Sequence, residues 1–349
     1  MTNFIEDLHI TRIRPLLSPA VLAEEIPATT EDLKMVASTR KQLESILDSQ
    51  DSRLLVIAGP CSIHDPEAAL DYATQIKAKT RGMEDRLILI MRVYFEKPRT
   101  VVGWKGLISD PDLDGSFDIN KGLRSARRLL RDVSELGIPA GTEFLDTTFG
   151  QYYADLVSWA AIGARTSESQ IHRELASGLS MPVGIKNRTD GDVQVAVDAI
   201  RAATYKHLFP SLTKEGVPAI FETKGNRYCH LVLRGGDRTG PNYDEKAVLD
   251  AVRLLARYEM PTNVIVDCSH GNSKKDPRNQ KEVVRSVAAS IKNGVSEIKG
   301  VMLESNLVGG RQEYASGELR YGQSITDGCL SLEETMPLFE QLYDVAAGI

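Results

Sequence analysis

Two groups of residues in this sequence have side chains suited to chemistry, and the first group is cationic. Guanidinium and ammonium groups bind phosphate and carboxylate, arginine in a bidentate manner. Taken singly, each residue is more simply explained as half of a surface ion pair. Facing one cavity, they would instead indicate a substrate set with several negative charges. The group contains Arg92, Lys97, Arg99, Lys105, Arg165, Lys186 and Arg234.

The second group combines a thiol, an imidazole and two carboxylates, which are ordinary ligands of transition metals. Its members, Cys61, His270, Glu304 and Asp327, are widely spaced, so no local motif indicates a metal. Alone, Cys61 is more often a small buried residue, and His270 a hydrogen-bonding core residue. The group predicts a metal site only if the fold brings its members together.

Other classes of site lack support in the sequence. No Gly-x-Gly-x-x-Gly follows a strand, and neither a P-loop nor a Gly-x-Ser-x-Gly elbow is found. The four cysteines form no Cys-x-x-Cys pair and no disulfide-framework spacing. The formal charge of -6 argues against nucleic-acid binding. No apolar run reaches the roughly 18 residues that span a bilayer, and the N-terminus lacks signal-peptide features, so we expect a cytoplasmic protein without membrane contact.

Short apolar runs alternate with amphipathic helical segments along the chain. Several runs are continuously apolar, as strands buried on both faces must be. Eight strands, each followed by a helix, predict a closed (β/α)8 TIM barrel, with a doubly wound open sheet as the alternative. Helical periodicity is clearest in Lys121–Leu136, Arg278–Ile291 and Leu332–Ala347. The predicted strands are Leu54–Ala58, Leu87–Val93, Ile138–Phe144, Ala160–Ala164, Pro182–Lys186, His230–Arg234, Val264–Cys268 and Gly300–Glu304.

Two further segments lie outside the eight strand–helix units of a minimal barrel. Residues 1–50 precede the first strand and contain a predicted helix, Glu31–Leu47, capped by Thr29 or Thr30. Residues 204–228 lie between the fifth and sixth strands and include a hairpin-like run, Pro218–Phe221. We therefore expect an N-terminal extension over 1–50 and a catalytic barrel over 51–349 with an inserted β-hairpin at 204–228. Both additions would serve assembly or regulation, with simple surface decoration as the alternative.

The polar residues gain meaning from the places where the strands end. Active sites of parallel barrels lie at the C-terminal ends of the strands and in the loops that follow. Closing the barrel would place the first strand beside the eighth, and so bring Cys61 and Glu304 together with His270 and Asp327. In strand order, the reactive or charged residues at the strand ends are Cys61, Arg92, Glu143, Arg165, Lys186, Arg234, His270 with Asp267, and Glu304.

Five segments are long and specific enough to carry a resemblance. They are Gly59–Asp65, Lys97–Thr100, Gly163–Thr166, Asp267–Asn272 and Ser324–Asp327. Together they resemble the 3-deoxy-D-arabino-heptulosonate 7-phosphate (DAHP) synthases, in their metal-dependent, feedback-regulated class. The resemblance covers essentially the whole chain. It implies a (β/α)8 barrel that condenses phosphoenolpyruvate with erythrose 4-phosphate, in the first step of the shikimate pathway to aromatic amino acids.

The resemblance also implies roles for individual residues. Cys61, His270, Glu304 and Asp327 correspond to ligands of a divalent metal such as Mn, Fe, Co or Zn. The residues matching the phosphoenolpyruvate site are Arg92, Lys105, Arg165, Lys186 and Arg234. Those matching the erythrose 4-phosphate site are Lys97, Pro98, Arg99 and Thr100. We expect Cys61, Lys186, His270 and Glu143 to act in catalysis.

Regulation and assembly are implied in the same way. The family forms homodimers and homotetramers and is inhibited by aromatic amino acids, and the motifs do not select among Phe, Tyr and Trp. The residues expected around the effector are Asp146, Gln151, Leu179, Ser180 and Phe209. Some positions depart from the family pattern: Arg188 replaces a usual glycine, Gly150 replaces a proline common in Phe- and Tyr-sensitive members, and Gly236–Pro241 carries two extra residues.

Three alternatives remain open at this point. A synthase for 3-deoxy-octulosonate 8-phosphate would use arabinose 5-phosphate on a similar barrel, although Lys97–Thr100 and the N-terminal extension argue against it. A Schiff-base aldolase would use Lys186 as its nucleophile. A non-catalytic protein would bind an anionic metabolite or an aromatic amino acid, although it would not need four metal ligands.

Overall fold

Eight parallel strands form a closed barrel in the computed structural model, which describes residues 5–99, 101–314 and 317–347. These strands are β1 (Leu54–Gly59), β2 (Leu87–Arg92), β3 (Ala140–Glu143), β4 (Trp159–Ile162), β5 (Val183–Lys186), β8 (Cys229–Leu233), β9 (Val264–Asp267) and β10 (Ile298–Asn306). They pair in that order, and β1 also pairs with β10, where Gly59 lies opposite Glu304. The predicted (β/α)8 barrel is therefore confirmed, and the open-sheet alternative is wrong because both edges of the sheet are paired.

The inserted hairpin lies between the fifth and sixth barrel strands, as predicted. Its strands, β6 (Leu208–Leu212) and β7 (Pro218–Glu222), are antiparallel, with Phe209 opposite Phe221. Three short strands follow the barrel: β11 (Val308–Arg311), β12 (Gln323–Ser324) and β13 (Leu330–Ser331). β13 extends the end of β10, and this pairing returns the loop that carries Asp327 to the barrel mouth.

Helices cover the outside of the barrel and precede its first strand. They are α1 (Pro19–Glu25), α2 (Thr30–Leu47), α3 (Pro66–Lys79), α4 (Ile119–Glu135), α5 (Gly150–Tyr153), α6 (Gln170–Gly178), α7 (Gln194–Thr204), α8 (Glu245–Arg257), α9 (Gln280–Lys292) and α10 (Leu332–Ala346). Two 3-10 turns, Ala154–Leu156 and Pro277–Asn279, complete the set in the described part of the chain. No helix among these residues combines the length and apolar character that a membrane crossing requires.

Helix boundaries follow the capping residues. The predicted N-terminal helix begins at Thr30, because the Thr29 side chain accepts a hydrogen bond from the Asp32 amide and the Asp32 side chain accepts one from the Thr29 amide. The predicted start of α9 at Arg278 is wrong by two residues. Pro277–Asn279 forms a 3-10 turn capped by Asp276, and the α-helix begins only at Gln280.

Two apolar cores hold the barrel, one between strands and helices and one inside the strand ring. Inside the ring, Trp159 fills the N-terminal half, and a Cβ atom at Gly184 would collide with its indole. Leu43 and Ile46 of α2 belong to the same interior core, and Asn263 donates to the carbonyl of Leu47 at 2.9 Å. The α2 helix thus closes the end of the barrel that lies opposite the strand C-termini.

Candidate active site

One cavity of about 200 Å³ opens at the C-terminal ends of the barrel strands. Most of the predicted site residues line it together: Arg92, Lys97, Pro98, Arg99, Glu143, Arg165, Lys186, Arg234, His270, Glu304 and Asp327. Cys61 is fully buried and lies under them. Lys105 is not in the lining; its carbonyl instead accepts a hydrogen bond from the Lys97 amide at 2.9 Å. Thr100 lies outside the described residues.

Three of the four predicted metal ligands meet at one edge of this cavity. Ligand atoms of Cys61, Glu304 and Asp327 all lie within 4.8 Å of one another. Cys61 follows β1, Glu304 lies on β10, and Asp327 lies in the loop before β13, so barrel closure brings them together. A thiol and two carboxylates at this spacing can hold a divalent cation.

The fourth predicted ligand, His270, lies beside this group rather than within the same spacing. Its Nε2 is 3.7 Å from the Glu304 Oε1, and its Nδ1 lies 3.0 Å from the Asp267 Oδ2 and 2.7 Å from the Ser269 Oγ. A carboxylate at one ring nitrogen orients the other nitrogen, as is common for metal-bound histidines. The backbone of His270 has φ +54°, a left-handed value that is uncommon outside glycine.

Neighbouring residues fix the cluster in place. The Gln280 side chain accepts from the Glu304 amide at 2.8 Å and donates to the Glu304 carbonyl at 3.0 Å, so the first residue of α9 anchors β10. The hydroxyls of Ser62 and Thr326 lie 2.7 Å apart and join the loop after β1 to the loop carrying Asp327. These bonds preorganise the ligand positions.

Charged groups of both signs surround the Cys61 thiol. Burial raises the pKa of the Cys61 thiol, as does the nearby Glu304 carboxylate, while the Lys97 ammonium, 3.0 Å from the sulfur, opposes the shift. Burial would also raise the pKa of Asp327, yet Lys97 and other cations around it hold that pKa below its usual range. A cation placed between them would favour the deprotonated forms of both side chains.

Arg92 crosses the floor of the cavity. Its guanidinium donates to Glu304 Oε1 at 3.0 Å and to the carbonyls of Pro60 and Cys61 at 3.1 Å each. The same group stacks over the Tyr94 ring at 3.5 Å. Because a buried guanidinium needs partners on all sides, this network fixes the loop that carries the thiol.

Lys186 and Asp267 form a second buried pair. The Lys186 Nζ donates to the Asp267 Oδ2 at 2.7 Å, and both side chains are almost fully buried. Although burial would raise the pKa of Asp267, Lys186 and His270 together hold it well below its usual range. Asp267 therefore connects a cavity cation to the imidazole, a role the sequence did not assign to it.

The Glu143 carboxylate has one oxygen, Oε1, that is buried but forms no hydrogen bond with any residue in the described part of the chain. A Cβ atom at Gly163 would collide with that oxygen, so the glycine leaves room for the carboxylate. A buried polar atom of this kind points to a water molecule or substrate group as its missing partner.

The remaining cations complete one side of the cavity. The Arg234 amide donates to the Asn187 Oδ1 at 2.8 Å, which joins the loop after β8 to the loop after β5. Burial lowers the pKa of the Arg234 guanidinium. Within the described residues, the Arg165 side chain has no intramolecular hydrogen bond or ion pair, although it lines the cavity. Arginines in this state can bind an incoming anion without first releasing a partner.

The residues expected around an effector are arranged along α5, α6 and the hairpin. Asp146 caps the turn before α5, with its Oδ1 accepting from the Thr148 amide at 2.7 Å. The Gln151 carbonyl accepts from Lys214 of the hairpin turn at 2.6 Å, and Phe209 is buried beside Gly178. Leu179 and Ser180 line a separate groove of about 930 Å³, which holds none of the cavity cations.

The fold and this cavity define a class of protein: a (β/α)8 enzyme with a thiol and two carboxylates close enough to hold a metal ion beside a cationic pocket. The chain belongs to the DAHP synthetase I family, whose model matches residues 26–340. The family expected from the sequence motifs, and with it the class of enzyme, is thus confirmed.

Individual relatives agree with this assignment over nearly the full length. A Trp-sensitive phospho-2-dehydro-3-deoxyheptonate aldolase of Salmonella typhimurium is 51% identical over 97% of both chains. A Phe-sensitive one of Escherichia coli is 53% identical over 97% of this chain and 96% of its own. The solved structure of a phospho-2-dehydro-3-deoxyheptonate aldolase from Francisella tularensis has a TM-score of 0.95 at 50% identity, covering 97% of this chain and 98% of that one.

Proposed function

We propose that this chain joins phosphoenolpyruvate to erythrose 4-phosphate and water, giving 3-deoxy-D-arabino-heptulosonate 7-phosphate and inorganic phosphate. The observation that carries the proposal is the meeting of Cys61, Glu304 and Asp327 beside a cavity lined by four buried or unpaired cations. One cluster suits a metal and the other suits two phosphorylated substrates. This reaction is the entry to the route that makes aromatic amino acids.

Phosphoenolpyruvate would occupy the inner part of the cavity. Arg165, Lys186 and Arg234 come from three successive barrel strands and face one space. Its phosphate and carboxylate would bind to these groups, with Arg92 below them. Lys105 stays a predicted partner that would have to turn toward the cavity.

The metal site would be completed by His270, whose Nε2 points toward Glu304. A metal bound there would act as a Lewis acid on the aldehyde oxygen of the sugar. The thiol favours Mn, Fe, Co or Zn over Mg or Ca, because the latter prefer oxygen ligands alone.

The protein's own groups would then direct bond making. The methylene carbon of phosphoenolpyruvate forms a bond to the aldehyde carbon, and the aldehyde oxygen takes up a proton. Water adds to the carbon bearing the phosphate and loses a proton. The bond from that carbon to the phosphate ester oxygen then breaks, so that a ketone forms and inorganic phosphate leaves with the proton of the remaining hydroxyl. The unsatisfied Glu143 Oε1 is suited to hold this water, and Lys186 would neutralise charge on the departing phosphate.

The Lys186 contact with Asp267 argues against a Schiff-base mechanism. A Schiff base requires the amine nitrogen to attack a carbonyl carbon, whereas the Lys186 Nζ is held by the buried Asp267 carboxylate at 2.7 Å. Borohydride treatment with phosphoenolpyruvate present should therefore leave Lys186 unmodified in a peptide mass map.

Phosphate release tests the overall reaction. Erythrose 4-phosphate and arabinose 5-phosphate are each mixed with phosphoenolpyruvate, enzyme and Mn²⁺. Release with the four-carbon sugar alone supports the proposal. Faster phosphate release with arabinose 5-phosphate would favour the octulosonate synthase, and no phosphate release with either sugar would favour a binding protein.

Metal dependence is tested on the ligands themselves. Excess chelator should abolish turnover, and added Mn²⁺ should restore it. Cys61→Ser and His270→Ala should each lose bound metal, measured by elemental analysis, together with at least about a hundredfold in activity. Full activity in chelator, or metal retained in either variant, contradicts the ligand assignment.

We further propose feedback inhibition by an aromatic amino acid and assembly into a homodimer or homotetramer. Residues 1–50 and 204–228 would serve both purposes, with the effector near Asp146, Gln151, Leu179, Ser180 and Phe209. The Trp-sensitive and Phe-sensitive relatives are almost equally similar, so their names do not select the effector. The amino acid that raises the melting temperature and lowers turnover identifies it.

A further inference from the structure

The mouth of the active-site cavity carries a charged pair to which the proposed reaction assigns no role. The Lys275 Nζ lies 3.8 Å from the Asp237 Oδ1, and both residues line the cavity that holds His270 and Asp327. The pair joins the loop after β9 to the loop after β8. Its side chains are 70% and 59% exposed, so the pair lies at the rim, in contact with solvent.

The turn that presents Lys275 is held in an unfavourable backbone conformation. Lys274 and Lys275 have φ of +53° and +63°, in the left-handed region that non-glycine residues avoid. Hydrogen bonds maintain it, because the Lys275 amide donates to the His270 carbonyl at 2.9 Å and Asn272 donates to the Asp267 carbonyl at 2.9 Å. The rim lysine is thereby coupled directly to the backbone of a predicted metal ligand.

The turn that presents Asp237 is also specific. Gly236 and Gly240 exchange backbone hydrogen bonds at 2.9 and 3.1 Å, closing a small loop. The Asp237 amide donates to the Thr189 carbonyl at 2.8 Å, which fixes the loop to the segment after β5. These bonds fix the acidic residue at the rim of the cavity.

Stability does not explain this arrangement. An exposed ion pair at 3.8 Å contributes little to folding, whereas two consecutive left-handed residues oppose it. Backbone strain that persists at a cavity mouth is better explained by a function of the side chain it presents. A weak contact is also one that an incoming anion can displace.

We infer that Lys275 binds the phosphate group of the aldose phosphate at the cavity mouth, and that Asp237 is its counter-ion until that substrate arrives. The inference rests on the proposed function and adds a binding residue to it. Of the proposed phosphoenolpyruvate cations, Lys186 ends β5, while Arg165 and Arg234 lie in the loops after β4 and β8. Lys275 lies farther round the barrel, on the Asp327 side and near the solvent, where the second substrate must pass.

Steady-state kinetics with each substrate varied separately test the inference. Lys275→Gln should raise the KM for the aldose phosphate about tenfold, because one charge-assisted bond is lost, and leave the KM for phosphoenolpyruvate within about twofold. Lys274→Gln is the matched control, since Lys274 has the same charge and backbone conformation but lies outside the cavity lining. It should change neither KM.

The Asp237→Asn variant tests the proposed counter-ion. Freeing Lys275 should lower the KM for the aldose phosphate by up to about fivefold, and this gain should vanish in a Lys275→Gln background. With unphosphorylated erythrose as the acceptor, Lys275→Gln should have no effect. The inference is overturned if Lys275→Gln keeps both wild-type KM values, or if Lys275→Gln and Lys274→Gln change them equally. An inactive wild-type enzyme would overturn the proposed function instead.

Discussion

At the scale of single residues, the cavity is organised by side chains that contact each other rather than solvent. Asp267 shows this most clearly, because one of its oxygens lies 2.7 Å from Lys186 and 3.0 Å from His270. Its other oxygen accepts from the Ser269 hydroxyl at 2.6 Å. Both carboxylate oxygens are thus occupied, and a neutral amide, which carries no charge and has only one acceptor oxygen, could not replace them.

Asp267→Asn should weaken metal binding by about 10- to 100-fold, as is usual when the partner of a metal-bound histidine is lost. Metal titration of the purified variant measures this effect. Asp276→Asn is the control, because Asp276 lies in the same segment but caps the turn Pro277–Asn279 and pairs with Arg278, outside the cavity lining. Equal metal affinity in the two variants would contradict the orienting role of Asp267.

Glu96 links the loop carrying Lys97 to the loop after β3. It is buried, its Oε2 accepts from the Asp146 amide at 3.3 Å, and burial together with the Asp146 charge raises its pKa to about 8. Because this value exceeds the ordinary 4.5, the folded state keeps a proton that the unfolded state loses. The associated stability is fully present below pH 4.5 and decreases as the pH rises toward 8.

Glu96→Gln should therefore flatten the dependence of stability on pH. Between pH 6 and pH 8 the wild type should lose about 2 kcal/mol of unfolding free energy that the variant retains. Urea denaturation of both proteins at each pH gives the difference. Parallel curves would show that Glu96 ionises normally.

At the scale of elements, the barrel depends on a few small residues that make room for large ones. Trp159 on β4 occupies the strand ring, where Gly141 on β3 and Gly184 on β5 both face it. Its indole nitrogen lies 3.2 Å from the His230 Nε2 on β8. Periodicity located these strands, but it could not show which glycines were required.

Gly184→Ala should destabilise the protein by about 1–3 kcal/mol through overpacking against Trp159. Chemical denaturation measures the loss. Trp159→Phe removes the part of the indole that lies against Gly184, so Gly184→Ala should destabilise the protein less in that background. An unchanged effect would place the strain elsewhere.

At the scale of the whole molecule, the buried His230 makes the fold sensitive to acid. Burial lowers its pKa to about 4, against an ordinary value of 6.5. The unfolded state therefore binds a proton first as the pH falls, so the stability present above pH 6.5 is lost toward pH 4. The affected layer lies far from the cavity, at the end that α2 closes.

His230→Gln should remove this loss while keeping an acceptor for the Trp159 indole. Between pH 7 and pH 4 the wild type should lose about 3 kcal/mol more than the variant. Thermal unfolding followed by circular dichroism across this range provides the comparison. Identical acid sensitivity in both proteins would mean that other groups control it.

The sequence by itself determined the eight strands, the hairpin and the polar residues at the strand ends, because hydrophobic period and capping are local properties of the chain. It also predicted that Cys61, His270, Glu304 and Asp327 would lie together, since barrel closure follows from strand count; the structure groups three of them and places His270 beside the group. Only the tertiary structure decided that Asp267 joins Lys186 to His270, that Gly163 makes room for Glu143, and that Lys275 faces Asp237. Those contacts join different loops, and they depend on side-chain directions that spacing along the chain does not encode.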